Sequence, residues 1–214
     1  ANLTVAGNLA INTGTLAGAD KEVTVNGNVL NTGGYTGSGT SKLILSGSSS
    51  VHLLSGAGAY TNLQLDDANG ANANASFTVN GVLTLTDGTF AIGAGVLTTL
   101  TGTIAAGGTG LLGGSATSDL TIGGTGAVGN SLNFNQTGTF PNLRTVSITR
   151  ATSGVVNLGS DLRVNGTLTL NAAGLNFYVG ANKLTFNGQA TPLTLTAGIF
   201  NGGNASDIEF IGAN

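Results

Sequence analysis

Apolar and polar residues alternate in three-residue units, and the first four units return every 20 residues: Leu3-Thr4-Val5, Val23-Thr24-Val25, Leu43-Ile44-Leu45 and Leu63-Gln64-Leu65. In an extended chain successive side chains point to opposite faces. Each unit therefore sends two apolar side chains one way and its middle residue the other. Further units follow at Phe77-Thr78-Val79, Leu83-Thr84-Leu85, Leu120-Thr121-Ile122, Leu162-Arg163-Val164, Leu168-Thr169-Leu170, Leu184-Thr185-Phe186, Leu193-Thr194-Leu195 and Ile208-Glu209-Phe210. Gly and Asn fill the gaps, where corners need φ > 0. Between Leu3 and Val23 the apolar positions recur at Leu9 and Leu16, so the steps are short. Three such strands joined by corners make one coil of an all-β, parallel, three-sided β-solenoid, with about 20–26 residues per coil. The 214 residues then give roughly nine or ten coils and a rod roughly 45 Å long at about 4.8 Å per coil. An antiparallel sandwich also has periodic short strands. Units of three residues are too short for most sandwiches, and the 20-residue step favours the solenoid.

A longer repeat lies over the coil repeat. The opening phrase, "LTVAGNLAINTGTL", recurs at Phe77 and at Leu162. A second phrase runs from Ser41 to Leu65 and again from Ser118 to Ile148. Its two copies contain Tyr60-Thr61-Asn62-Leu63 and Phe140-Pro141-Asn142-Leu143. The reading is one domain over 1–214 with a super-repeat of several coils. Within the copy at Phe77, Val79, Leu83, Leu85, Phe90, Ile92 and Leu97 are expected to face in. Gly81, Gly88 and Gly93 are expected to turn corners, and Thr78 and Thr84 to face water.

Composition narrows the function classes. Charged residues are 7% and hydrophobic residues 40%, so the chain can bury a core, unlike a disordered chain of low hydrophobicity and high net charge. Six Lys and Arg over the whole chain do not supply the clustered cations that a phosphate backbone needs, which argues against nucleic acid. No apolar run approaches the ~18 residues of a transmembrane helix. The absence of Cys excludes disulfides and thiolate metal sites. The chain opens at Ala1 without an initiator Met and reads as a processed chain or a piece of a longer one.

A polysaccharide-degrading β-helix enzyme is the weaker alternative: it would need clustered carboxylates in a groove, and the chain holds little to support catalysis, a cofactor or a metal. Only Asp66 and Asp67 are adjacent acids, and strand neighbours point to opposite faces. They read as a solvated turn, not an acid–base couple. His52 is the single His, too few for a transition-metal site, and reads as structural or surface-borne. Arg144, Arg150 and Arg163 read as solvated outward positions. The Gly-Gly pairs lack the Asp of calcium-binding solenoid repeats. The outward Thr residues form the candidate binding face: Thr4, Thr24, Thr78, Thr84, Thr121, Thr169, Thr185 and Thr194. In register they would make a hydroxyl surface for sugar or ice, though strand propensity alone also explains Thr at exposed strand positions.

The stretches "LTVAGNLAINTGTL", "FTVNGVLTLTDGTF", "LRVNGTLTLNAAGL" and "GAYTNLQLDD" resemble the repetitive regions of large cell-surface and secreted proteins of Bacteroidetes-type bacteria. Those proteins are often exported by the type IX system and carry a separate C-terminal sorting domain. The resemblance covers nearly the whole chain and implies an extracellular, structural or adhesive β-solenoid at the bacterial surface. Such a solenoid presents unpaired strand edges at its ends. Leu3, Val5, Ile208 and Phe210 are the expected stacking residues, either for head-to-tail self-association or for continuation of a longer solenoid. Surface glycans are the other expected partner.

Overall fold

The computed structural model describes residues 1–212. The alternating units become strands, and each strand hydrogen-bonds the equivalent unit one coil away. Leu3 lies beside Val23, Val23 beside Leu43, Leu43 beside Leu63 and Leu63 beside Leu83, always in parallel. The result is a β-solenoid of about 10 turns with about 21 residues per turn, with no helix among the described residues.

Six coils have three regular faces. The first face is built from Leu3–Val5, Val23–Val25, Leu43–Ser46, Leu63–Asp66, Val82–Asp87 and Thr103–Ala106. The second is built from Leu9–Ile11, Val29–Asn31, His52–Ser55, Ala71–Ala73, Thr89–Ile92 and Leu111–Gly113. The third starts at Thr15–Ala19, reaches Asp119–Ile122 in the sixth coil and continues past it through Thr145–Ile148, Leu168–Tyr178 and Leu193–Asn201. Beyond the sixth coil the second face gives way to a four-stranded sheet of Asn142–Leu143, Leu162–Val164, Lys183–Asn187 and Asp207–Ile211. The first face is carried on by the bridge from Ile104 to Gly129, by Ala151–Asn157 and by the second halves of the two long strands.

The inward slots stack like on like. Leu43, Leu45, Leu63, Leu65 and Leu83 are fully buried in adjacent coils, each side chain contributing about 1.5–3 kcal/mol by leaving water. Aromatic rings join the column: Phe77 packs edge-on against Tyr60 and Phe90, with centroids 5.5 and 5.9 Å apart. The corners are tied as well. Asn62 donates to the Ser41 carbonyl (2.7 Å) and accepts from the Val82 N–H (2.8 Å). The Asn of the first Asn-Leu phrase thus staples its own coil to the one on each side.

Two placements depart from the expectation. Leu97 points out and is 38% exposed, while Thr98 takes the inward slot. The register sets this: Thr98 pairs with Phe77 and Leu120, and Leu100 with Val79 and Ile122. Val96 turns into the core just before the strand and fills the space intended for Leu97. The Thr98 hydroxyl is consequently buried without a partner.

Coils approach most closely at the glycine corners. A Cβ on Gly102 would overlap the carbonyl oxygen of Gly81 in the preceding coil, whereas one on Gly7 would meet nothing within 4 Å. Gly102→Ala is expected to destabilise by about 2–3 kcal/mol and Gly7→Ala by less than ~0.5 kcal/mol. Thermal melts of the two variants should differ accordingly, and equal melting temperatures would contradict this account of the corner.

Candidate functional site

The strongest repeating surface feature is built on the third face. Its middle outward slot is occupied, coil after coil, by Thr78, Thr99, Thr121, Ser147, Thr169 and Thr194. Each pairs in register with the next. All six are half-buried, flanked by their neighbours in the sheet. Adjacent rows hold Thr101, Thr145 and Thr167, whose hydroxyls reach Asn80, Asp119 and the Thr191 carbonyl. Among the described residues the six hydroxyls of the middle row have no such partner and are left to solvent.

The eight Thr residues read from the sequence do not share one face. Thr78, Thr121, Thr169 and Thr194 fall in this row. Thr4, Thr24 and Thr84 lie on the first face, where Ile44 and Gln64 separate Thr24 from Thr84. Thr185 lies in the four-stranded sheet between Arg163 and Glu209. Thr99 and Ser147 complete the row but were not in the sequence reading. Thr99 sits in Leu-Thr-Thr-Leu, which breaks the apolar-x-apolar signature, whereas Val146-Ser147-Ile148 obeys it with Ser in place of Thr.

Charge is kept off the middle of that face. Asp119 lies at its rim, where the Arg144 Nε donates to it at 2.9 Å, a second guanidinium nitrogen pairs with its other oxygen, and the Thr145 hydroxyl donates at 2.6 Å. Burial pushes the Asp119 carboxyl up, but these donors outweigh burial and hold it below the ordinary range. Lys183, Asp207 and Glu209 form an exposed cluster on the four-stranded sheet.

Two polar groups expected at the surface are inside. Asp67 is buried, not part of a solvated turn. Past Leu65 the chain turns the corner, and the Asp67 carboxylate folds back to accept from the Ser48 N–H (2.7 Å) and the Asn69 N–H (2.9 Å). His52 is fully buried beside it, with Nε2 3.1 Å from Asp67 and Nδ1 2.6 Å from the Gly27 carbonyl. The carboxylate and imidazole thereby lock corners of successive coils. With Asp67 committed inward and Asp66 ending its strand, the pair is not an acid–base couple in a groove.

Arg150 is the second correction: it is only 2% exposed. Its guanidinium donates to the carbonyls of Gly126 (2.6 Å), Gly102 (2.7 Å), Gly123 (2.6 Å) and Ala127 (3.0 Å). No carboxylate pairs with it among the described residues, and burial pulls its pKa below the ordinary arginine value. Its acceptors lie at the corner before Thr103–Ala106 and in the stretch from Gly123 to Ala127, so one side chain ties two coils together. Arg163, by contrast, takes the outward slot of its unit and is half-buried. No group of three or more metal-ligating side chains occurs among the described residues.

The expected stacking residues occupy inward slots of the first and last described coils. Leu3 is 49% and Phe210 61% exposed, and Val5 and Ile208 are half-buried. Phe210 stacks on Phe186 at 5.1 Å and leaves its other side open.

Two outcomes follow. Arg150→Leu should cost at least ~2 kcal/mol, because the carbonyls lose their donors inside the protein; denaturant unfolding measures it. Asp67 is also held below the ordinary carboxylate range: burial raises it, but the Asn69 and Ser48 N–H groups and His52 outweigh burial. A depressed folded pKa contributes stability that is present above the unfolded value, about 3.9, and is lost as pH falls through the folded one. The melting temperature should therefore drop on acidification below about pH 4. Asp67→Asn should be less stable at neutral pH and show a shallower acid decline.

No family model matches the chain, and neither curated proteins nor solved structures gave a match.

Proposed function

We propose that this chain is a structural section of an extracellular bacterial surface protein, a β-solenoid that serves as a stalk or filament and extends by end-to-end strand stacking. One observation carries the reading: from Leu3 to Phe210 each coil adds to the last by parallel pairing, with apolar inward residues mostly opposite apolar ones. A coil that presents open inward positions such as Phe210 and Leu195 offers the next coil a prepared apolar surface and a parallel edge, and no recognition chemistry is needed beyond the fold itself. Heterologous contacts of this kind do not close and so give filaments. The low charge suits a stacking unit, because a charge at an inward slot would be desolvated at every addition.

The test is association of the purified chain. Sedimentation and electron microscopy should show end-to-end rods whose length grows with concentration, with an axial repeat of about 4.8 Å. Phe210→Glu should leave short, single rods. A wild-type chain that stays monomeric at high concentration would overturn the stacking mechanism. Antibody labelling of intact cells addresses the location, and labelling only after lysis would overturn the surface assignment.

A further inference from the structure

The hydroxyl row of the third face has properties that a rod does not require. It is one residue wide per coil, unbroken from Thr78 to Thr194, and set by strand register. The chain takes a longer path between Thr121 and Ser147 than between Thr99 and Thr121, yet it returns in register. The extra residues leave the stack elsewhere, in the segment 136–141 that precedes Asn142–Leu143. The middle row stays in register, and the register shifts of the third face fall outside it, at Ala17/Ala19 and after Leu170.

We propose that this face binds ordered water, and specifically the surface of an ice crystal. The row supplies hydroxyls at about 4.8 Å along the stack, and the next outward row lies about 6.7 Å away along the strand. That next row is mixed, with Leu97, Asp119 and Thr145 side by side, so the regular array is the single middle row. β-branched side chains have few χ1 choices, and these are further confined by their sheet neighbours, so the row is ordered before any ligand arrives and binding costs little side-chain entropy. The middle-row hydroxyls are not used by the protein. Five of the six positions are Thr, whose methyl group stands beside the hydroxyl and leaves water fewer alternative arrangements; Ser147 is the one position without it. The middle row itself carries no charge: Asp119, neutralised by Arg144, stands in the row beside it, and Lys183, Asp207 and Glu209 lie on another sheet.

The same features weigh against a sugar. Neither the middle row nor the rows beside it contain an aromatic ring for a pyranose to stack on, and the charged fork of Arg144 is already committed to Asp119. A lattice of water asks only for repeated hydroxyls at fixed spacing, which is what the register provides. The inference does not depend on end-to-end assembly, since the face lies along the side of the rod.

The experiment is partition of the purified chain into slowly grown ice, together with inhibition of ice recrystallisation. Wild type is expected to enter the ice. Thr121→Lys, in the middle of the row, should reduce incorporation about tenfold or more, equivalent to about 1.4 kcal/mol, with an unchanged melting temperature. Thr24→Lys, on the first face, should leave incorporation unchanged. Ser147→Thr, which adds the missing methyl, should increase it. Exclusion of the wild type from ice would overturn the proposal, as would equal loss in the Thr24 and Thr121 variants. So would retention on insoluble cellulose or chitin without entry into ice.

Discussion

Everything in this molecule depends on one interaction, the parallel in-register pairing of each short strand with its counterpart in the neighbouring coil. A strand of three residues has almost no stability of its own. It persists because its backbone groups are satisfied from both sides and because its two inward side chains meet identical neighbours above and below. Val25, Leu45 and Leu65 illustrate this: each is fully buried although each comes from a different coil. The fold is therefore cooperative along the stack and nearly indifferent to anything outside it.

That dependence explains where the unusual residues lie. A regular coil has its strand backbone satisfied by its neighbours, so the polar groups inside it are small neutral ones such as Asn31, Ser41 and Thr98, and the buried charged groups sit at corners and irregular coils. Asp67 and His52 are inside at a corner that turns back on itself. Arg150 is inside where it reaches the corner carbonyl of Gly102 and those of Gly123, Gly126 and Ala127 in the next coil. The guanidinium serves this purpose because its fan of N–H groups can reach several acceptors at once. Its charge is stabilised by carbonyl dipoles and not by a carboxylate.

The same register that builds the core also builds the surface. Once inward positions are aligned, outward positions align too, and the character of each face follows from what fills them. The first face mixes Thr4, Thr24, Ile44, Gln64 and Thr84. The four-stranded sheet carries Arg163, Thr185 and Glu209. The third face alone repeats a hydroxyl over six successive coils. A stalk and a water-ordering face are compatible on one rod, because the first uses the ends of the stack and the second uses a side.

The sequence by itself determined the architecture. The 20-residue return of apolar-x-apolar units dictates coil length, parallel stacking and the inward residues of the regular coils, because side-chain alternation and strand pairing are local rules that act wherever the pattern occurs. It did not determine the phase of strands after irregular corners. Leu97 and Thr98 exchange roles because the chain consumed at the preceding turn, and the fit of Val96 into the core, set which residue faces in. Nor did it determine which outward Thr residues belong together. Thr78 and Thr84 look alike in the sequence, yet they lie on different faces because a corner intervenes. Thr99 and Ser147 join the row through cross-strand register alone. The burial of Arg150 and Asp67 was likewise decided by tertiary structure, since their partners are brought from elsewhere in the chain: Gly102 lies 48 residues from Arg150, and Ser48 and His52 lie 19 and 15 residues from Asp67.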